Sequence, residues 1–133
     1  MFQRKSKISE RAEHRVEHSQ RMTAAPPLAD EFPHLRSLTM ELGQYDGEGV
    51  TRMSQMKQSL NLKHTSSIVR IHCGNMDCVR GDFDLTGDIA DAVASRRLSA
   101  TGELRCQGWR NEAVIDRIRC GRILRYKLTL EYA

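Results

Sequence analysis

The stretch AVIDRIRCGRILRYKLTLEY, residues 113–132, keeps a two-residue alternation of apolar and polar side chains. One parity holds Ile118, Cys120, Leu124, Tyr126, Leu128, Leu130 and Tyr132, and the other holds Arg117, Arg119, Arg125, Lys127 and Glu131. This period predicts a β-strand with one face on a core and one face in solvent. Because the stretch is too long for one ordinary strand and the alternation slips near Arg122, we expect a bend or bulge at Gly121.

Further strand patterns occur upstream, in SLTMELGQY (37–45), SSIVRIHC (66–73) and TGELRCQGW (101–109). TGDIADAVASRR (86–97) predicts a short helix, with Asp84 or Thr86 as its cap and two arginines at its end. Residues 50–63 fit a helix or a strand about equally well. The order of these segments predicts an α+β fold, with an antiparallel sheet of four to five strands and one firm helix.

Residues 1–34 differ from the rest of the chain in composition. They are polar and charged, and they contain all three prolines, Pro26, Pro27 and Pro33. A helix over residues 9–22 would have an apolar stripe too thin to dock firmly, so we expect a frayed helix or a disordered tail, followed by a linker. The predicted organisation is therefore a charged, largely disordered tail (1–34) and a single α+β domain (35–133).

The composition of the 133-residue chain constrains its class. Apolar residues make up 39% and charged residues 29%, so the core is modest. A cross-link such as a bound metal ion would therefore add substantially to the stability of the fold. No apolar run is long enough for a membrane helix, and the basic amino terminus is not followed by the apolar region of a secretory signal. We therefore expect a cytoplasmic protein with reduced thiols and no membrane partner. The sequence shows no phosphate-binding glycine loop and no nucleophile elbow, so we do not expect an enzyme.

The four cysteines are the strongest functional signal. Cys73 and Cys78 enclose GNMD, a gap of the length found in structural zinc sites. Cys106 and Cys120 are distant, but a strand connection centred near residue 113 would place them opposite each other. A glycine closely follows each cysteine, and turn amides there could donate hydrogen bonds to thiolate sulfur. Four thiolates in a tetrahedral set favour zinc, or less often iron.

In outline this pattern resembles zinc-ribbon-like four-cysteine domains, in which two cysteine pairs from separate turns bind one ion. The resemblance covers about residues 73–121 and implies a structural zinc ion bound by Cys73, Cys78, Cys106 and Cys120. The second pair departs from the usual pattern, because thirteen residues separate its members.

Two alternatives to the metal site remain open from the sequence. The cysteines could be small buried hydrophobic residues, since Cys106 and Cys120 lie on apolar parities, or they could serve redox or disulfide chemistry. The sequence also leaves open whether all four bind one ion. His72 could replace one thiol, but as a strand neighbour of Cys73 it should point to the opposite face.

One histidine motif lies in the amino-terminal segment. HRVEH, residues 14–18, has the H-x-x-E-H form of some zinc peptidases. That chemistry needs a third ligand and a dry cleft, which a thin charged tail does not offer. We therefore interpret His14 and His18 as histidines on a solvated helix.

A basic strand face suggests a second functional class. Trp109 adjoins Arg110, and an exposed aromatic residue among cations is typical of single-stranded nucleic-acid binding; the candidate residues are Trp109, Arg110, Arg117, Arg119, Arg125 and Lys127. The alternative is a solvated face whose arginines pair with the aspartates of residues 77–91. The net charge of +4 is small for a nucleic-acid footprint. We predict a zinc-stapled interaction module that binds an unknown protein or itself, and the alternative is a metal-free domain that binds protein or nucleic acid.

Overall fold

The computed structural model describes residues 7–110 and 118–133, with side chains from residue 12 onward. In chain order the elements are α1 (Lys7–Ala24), α2 (Leu28–Glu31), β1 (Leu35–Tyr45), β2 (Arg52–Ser59), β3 (Arg70–His72), β4 (Asp82–Asp84), α3 (Thr86–Ala94), β5 (Ser99–Arg105) and β6 (Ile123–Tyr132).

The main sheet is antiparallel and has four strands in the order β2-β1-β6-β5. The alternating carboxy-terminal stretch supplies β6, which lies between β1 and β5. Leu42 on β1 pairs with Tyr126 on β6, and Met40 pairs with Leu128, so buried side chains meet on one face. The opposite face is polar and exposed, as the two-residue period predicts.

Helix α3 covers the apolar face of the sheet. Ile89 and Ala92 are buried in the same core as the strand residues. The Tyr126 hydroxyl reaches up from β6 and donates a hydrogen bond to Asp88 Oδ1 at 2.7 Å. Burial, together with this carboxylate, raises the pKa of Tyr126 to about 12. The helix is therefore tied to the sheet by apolar packing and by one charge-assisted hydrogen bond.

A small second sheet carries the first cysteine pair. Strands β3 and β4 are antiparallel, with Ile71 opposite Phe83 and His72 opposite Asp82. Phe83 is buried in the common core, which fixes this hairpin to the main sheet. Residues 73–81 form the connection between the two strands and contain both Cys73 and Cys78.

The structure confirms the α+β class, the antiparallel sheet and the helix after the cysteine pair. It resolves residues 50–63 in favour of a strand, β2. Gly121 has a φ of +67°, which fits the bend expected just before β6. The strand predicted over residues 66–73 is shorter than expected, since only Arg70–His72 pair with another strand.

The amino-terminal segment makes more contacts than its thin apolar stripe suggested. The predicted helix over residues 9–22 is present as α1, and its Glu17 side chain lies 2.8 Å from Arg80 of the cysteine-bearing loop. Leu28 of α2 is fully buried in the core. The predicted boundary between the tail and the domain, at residues 34 and 35, therefore leaves Leu28 of the core on the side of the tail. None of the described helices is both long enough and apolar enough to cross a membrane.

Candidate metal centre

The four cysteines converge at one end of the molecule. Cys73 and Cys78 lie in the β3–β4 connection, Cys106 directly follows β5, and Cys120 precedes β6. Their four sulfur atoms all lie within 4.8 Å of one another, and no other group of three or more ligand-type residues in the described part of the chain is clustered this tightly. Cys78, Cys106 and Cys120 are buried, and Cys73 is partly buried. The predicted convergence of the cysteines is therefore confirmed.

The sulfur separations match those of a tetrahedral thiolate site. Cys73 Sγ lies 3.6 Å from Cys120 Sγ, and Cys78 Sγ lies 3.6 Å from Cys106 Sγ. A tetrahedral ion with zinc–sulfur bonds of about 2.3 Å would place its ligands about 3.8 Å apart. A disulfide needs sulfurs about 2.05 Å apart. The four thiols are therefore free and spaced as ligands of one ion would be.

Two glycines leave room for the sulfur cluster. A Cβ on Gly81 would contact both Cys78 Sγ and Cys106 Sγ, and it would lie 3.2 Å from Cys73 Cβ. A Cβ on Gly108 would lie 2.7 Å from Cys78 Sγ and from Gly81 Cα. Any side chain at either position would occupy the space of the sulfurs, so both glycines belong to the site.

Polar groups around the sulfurs support the anionic form. Asn75 Nδ2 donates to Cys120 Sγ at 3.4 Å, and the Gly108 amide donates to Cys106 Sγ at 3.4 Å. The buried Gln44 side chain braces the loop from β1, because its Oε1 accepts from the Gly74 amide and its Nε2 donates to the His72 carbonyl. Such outer contacts orient metal ligands and tune their basicity.

The crowding of the thiols splits their pKa values. Hydrogen bonds from the thiols of Cys106 and Cys73 lower the pKa of Cys120, whereas hydrogen bonding to Cys106, followed by Cys120, raises the pKa of Cys78 well above its ordinary value. Interaction with Cys120 likewise raises the pKa of Cys106. Four sulfurs at this spacing cannot all ionise unless a cation compensates their mutual repulsion. A soft divalent ion would supply that compensation.

The prediction that Cys106 lies directly opposite Cys120 is wrong by two residues of register. The β5–β6 register continues beyond the strands, so the Cys106 amide donates to the Arg122 carbonyl and the Cys120 amide donates to the Gly108 carbonyl. The two cysteines are thus diagonal neighbours. Their sulfurs still meet, because both side chains turn to the loop that carries Cys73 and Cys78.

The residues of the predicted basic face are spread over two regions. Arg125 lies on the exposed face of β6, where its guanidinium pairs with Glu103 at 3.0 Å and lies over the Tyr45 ring. Lys127 is exposed on the same face of β6 and lies directly opposite Glu41 of β1 in the strand register. Arg125 therefore pairs with a glutamate of β5, where the sequence suggested aspartates of residues 77–91.

Trp109 and Arg119, two further candidates of that face, lie next to the four-cysteine cluster. Trp109 forms bridges with Val79 and Arg119, and Arg119 donates to the Gln107 carbonyl and side chain. Arg110 is exposed, and Arg117 lies outside the described residues.

Gln44 is the site residue that sequence reasoning missed. Its signal was present in SLTMELGQY, where a polar residue occupies the same parity as Leu38, Met40 and Leu42. A polar side chain on the buried face of a strand needs a hydrogen-bond partner, and here the partners are backbone groups on either side of Cys73.

The fold and the site together define a small α+β protein with a four-cysteine cluster. Comparison of the chain with protein-family models, with curated proteins and with solved structures finds no match.

Proposed function

We propose that the chain is an interaction module held together by one structural zinc ion, bound by Cys73, Cys78, Cys106 and Cys120. The observation that carries this proposal is the mutual approach of four free sulfurs from three separate parts of the chain. The site is closed, with four protein ligands, and three of them are buried. Closed four-ligand sites are structural, whereas catalytic zinc sites keep one position open.

The role of the ion follows from what it would connect. It would join the β3–β4 connection to the ends of β5 and β6, and these segments otherwise meet through a few backbone hydrogen bonds around Trp109 and Gly108. The core of this protein is modest, so an ion at this end replaces apolar packing that the chain lacks. The proposed site resembles zinc-ribbon-like sites in its short loop pair, and it differs from them because its second pair comes from two strand ends.

Metal and thiol analysis of the purified full chain tests the proposal. We expect four thiols that react with a thiol reagent only after a strong chelator is added, with one zinc ion released per four thiols. Elemental analysis distinguishes zinc from iron. Four thiols that react equally fast before and after chelation would refute the proposal.

The edge strand β2 supports the interaction role. All eight of its side chains are exposed, including Met53 and Met56, and its outer backbone edge has no neighbouring strand among the described residues. An exposed strand edge is a template for pairing with another chain. The sequence RMSQMKQS contains Arg52 and Lys57 and no acidic residue.

A second copy of the chain is the occupant that we infer for this edge. In an antiparallel twofold pairing centred on Met56, the two Met56 side chains meet, Lys57 faces Gln55, and Met53 faces Ser59. No two like charges then lie opposite each other, so the strand is complementary to itself. The interface would extend the four-stranded sheet into a continuous eight-stranded one.

Met56→Lys is expected to weaken this self-association, because it places two lysines opposite each other across the twofold axis. Met53→Lys is the matched control, since it adds the same charge to the same strand opposite Ser59. Size-exclusion chromatography with light scattering over a wide concentration range measures the effect. A wild-type chain that stays monomeric at every concentration, or equal weakening by both substitutions, would contradict this pairing.

A further inference from the structure

A second group of metal-ligand side chains lies where helix α1 crosses the β3–β4 hairpin. His14 and His18 are one helical turn apart on α1, and His72 and Asp82 are directly opposite each other on β3 and β4. These residues are the HRVEH histidines together with two partners from a distant part of the chain. The third ligand that the motif lacked in sequence is therefore supplied by the fold.

Two of the three histidines approach one carboxylate oxygen of Asp82. Asp82 Oδ2 lies 3.4 Å from His14 Nε2 and 3.8 Å from His18 Nδ1. The His72 ring lies 4.5 Å from the His18 ring and 6.2 Å from the His14 ring, measured between centroids. Around a tetrahedral ion with metal–nitrogen bonds of about 2.0 Å, ligand atoms are about 3.3 Å apart and imidazole centroids about 5 Å apart. The His14 ring lies 6.3 Å from the His18 ring and 6.2 Å from the His72 ring, so His14 would have to move toward both for the group to close around an ion.

Two nitrogens in this group are buried and have no hydrogen-bond partner. They are His14 Nε2 and His18 Nδ1, and both point toward Asp82. The His18 residue is only 6% exposed. Buried polar atoms are normally satisfied, so an unpartnered pair aimed at one carboxylate indicates a binding site for a cation. Burial also lowers the pKa of His14 and of His18.

Arg70 is the main competing group. Its guanidinium donates to Asp82 Oδ2 at 3.1 Å and also lies 3.4 Å from Asp84 Oδ2. The Arg70 guanidinium could balance the negative charge of Asp82 without a metal, but it leaves both histidine nitrogens unpartnered. With an ion bound, Arg70 would retain its ion pair with Asp84 and its hydrogen bond to Asp82. Carboxylate ligands of metals are commonly hydrogen-bonded in this way.

We propose that His14, His18, His72 and Asp82 form a second metal site for a divalent first-row transition ion such as zinc. Three imidazoles and one carboxylate suit zinc, cobalt and nickel, and they differ from the thiolate set that lies next to them along β3. The ion would fasten α1 to the hairpin that carries Cys73. Helix α1 has few apolar contacts of its own, so its docking would depend on this ion.

Cobalt titration of the zinc-loaded full chain tests the site. The cysteine site is first filled with zinc, loosely held metal is removed by dialysis against a mild chelator, and cobalt(II) is then added. We expect one further cobalt ion per chain, with visible ligand-field absorption and without sulfur-to-cobalt charge-transfer absorption. Hydrogen exchange along α1 should slow when cobalt is added.

Variants assign the ligands. His18→Ala and the less buried His14→Gln should each weaken cobalt binding at least about 100-fold. His34→Ala is the matched control, because His34 is exposed and outside this group, and it should leave binding unchanged. No further cobalt uptake by the wild type, or uptake by His14→Gln and His18→Ala equal to that of the wild type, would overturn the proposal. If the cysteines hold no zinc, charge-transfer absorption appears during the titration, so failure of the first site is distinguishable from failure of the second.

Discussion

Cys78→Ser is expected to release the structural ion and unfold the domain. A hydroxyl is a poor ligand for a soft thiolate site, and Cys78 Sγ lies 3.6 Å from Cys106 Sγ, next to the space kept open by Gly81 and Gly108. Structural zinc contributes on the order of 10 kcal/mol or more to folding in small modules. The free energy of unfolding of a whole domain is about 5–15 kcal/mol. Loss of the ion is therefore comparable to the entire stability.

The measurement pairs metal content with circular dichroism during urea unfolding. Asp77→Ser serves as the control, because it alters the adjacent exposed residue of the same loop and should leave both quantities unchanged. Wild-type protein treated with a strong chelator should unfold as Cys78→Ser does. If Cys78→Ser has the metal content of the wild type and melts at the wild-type temperature, Cys78 is a buried thiol that binds no ion and the proposed four-cysteine site is refuted.

The parts of the fold that sequence predicted well are those with one buried face. β1 and β6 alternate because Met40 and Leu128 face the core while Glu41 and Lys127 face solvent. β2 lacked such a signal, since every one of its side chains is exposed, and a strand with no buried face leaves no period to detect. Its strand conformation comes from pairing with β1, which is a tertiary effect.

The convergence of the cysteines was predictable, but its register was not. The spacing of Cys73 and Cys78 indicated a loop pair, and the alternation placed Cys106 and Cys120 on neighbouring strands. The length of the β5–β6 connection does not fix the register of the two strands, so the expected direct pairing is wrong by two residues. A change of two residues in register keeps the same face of the sheet, and for that reason the sulfurs still meet.

Docking of α1 was missed for a different physical reason. Its apolar positions are few, and the hydrophobic pattern therefore gave no reason to place it on the domain. Its contacts are polar instead: Glu17 pairs with Arg80, and His18 is buried against His72 and Asp82. Polar contacts between distant segments have no periodic signature, and the histidine motif could be interpreted only after the fold supplied its partners.

Gly81→Ala is expected to disrupt the metal centre without changing any ligand. Gly81 is buried, and its φ lies outside the left-handed region, so alanine meets no backbone penalty there. The added methyl group would instead contact Cys78 Sγ and Cys106 Sγ and lie 3.2 Å from Cys73 Cβ. Overpacking in a rigid core costs about 1–3 kcal/mol, and here the displaced atoms are the ligands themselves. We expect metal affinity to fall about 10- to 100-fold.

Gly87→Ala is the control for this substitution. It lies in α3, an added methyl group there would have no neighbouring atom within 4 Å, and alanine in a helix should stabilise the chain by up to about 1 kcal/mol. Competition with a chelator of known affinity measures metal binding, and urea unfolding measures stability. Because Gly81→Ala keeps all four thiols, lower affinity would show that the spacing of the sulfurs, beyond their number, creates the site. Equal metal affinity and equal stability of Gly81→Ala and Gly87→Ala would mean that the sulfurs can move apart without cost. Four sulfurs that bind one ion cannot do so, and that result would contradict a single shared site.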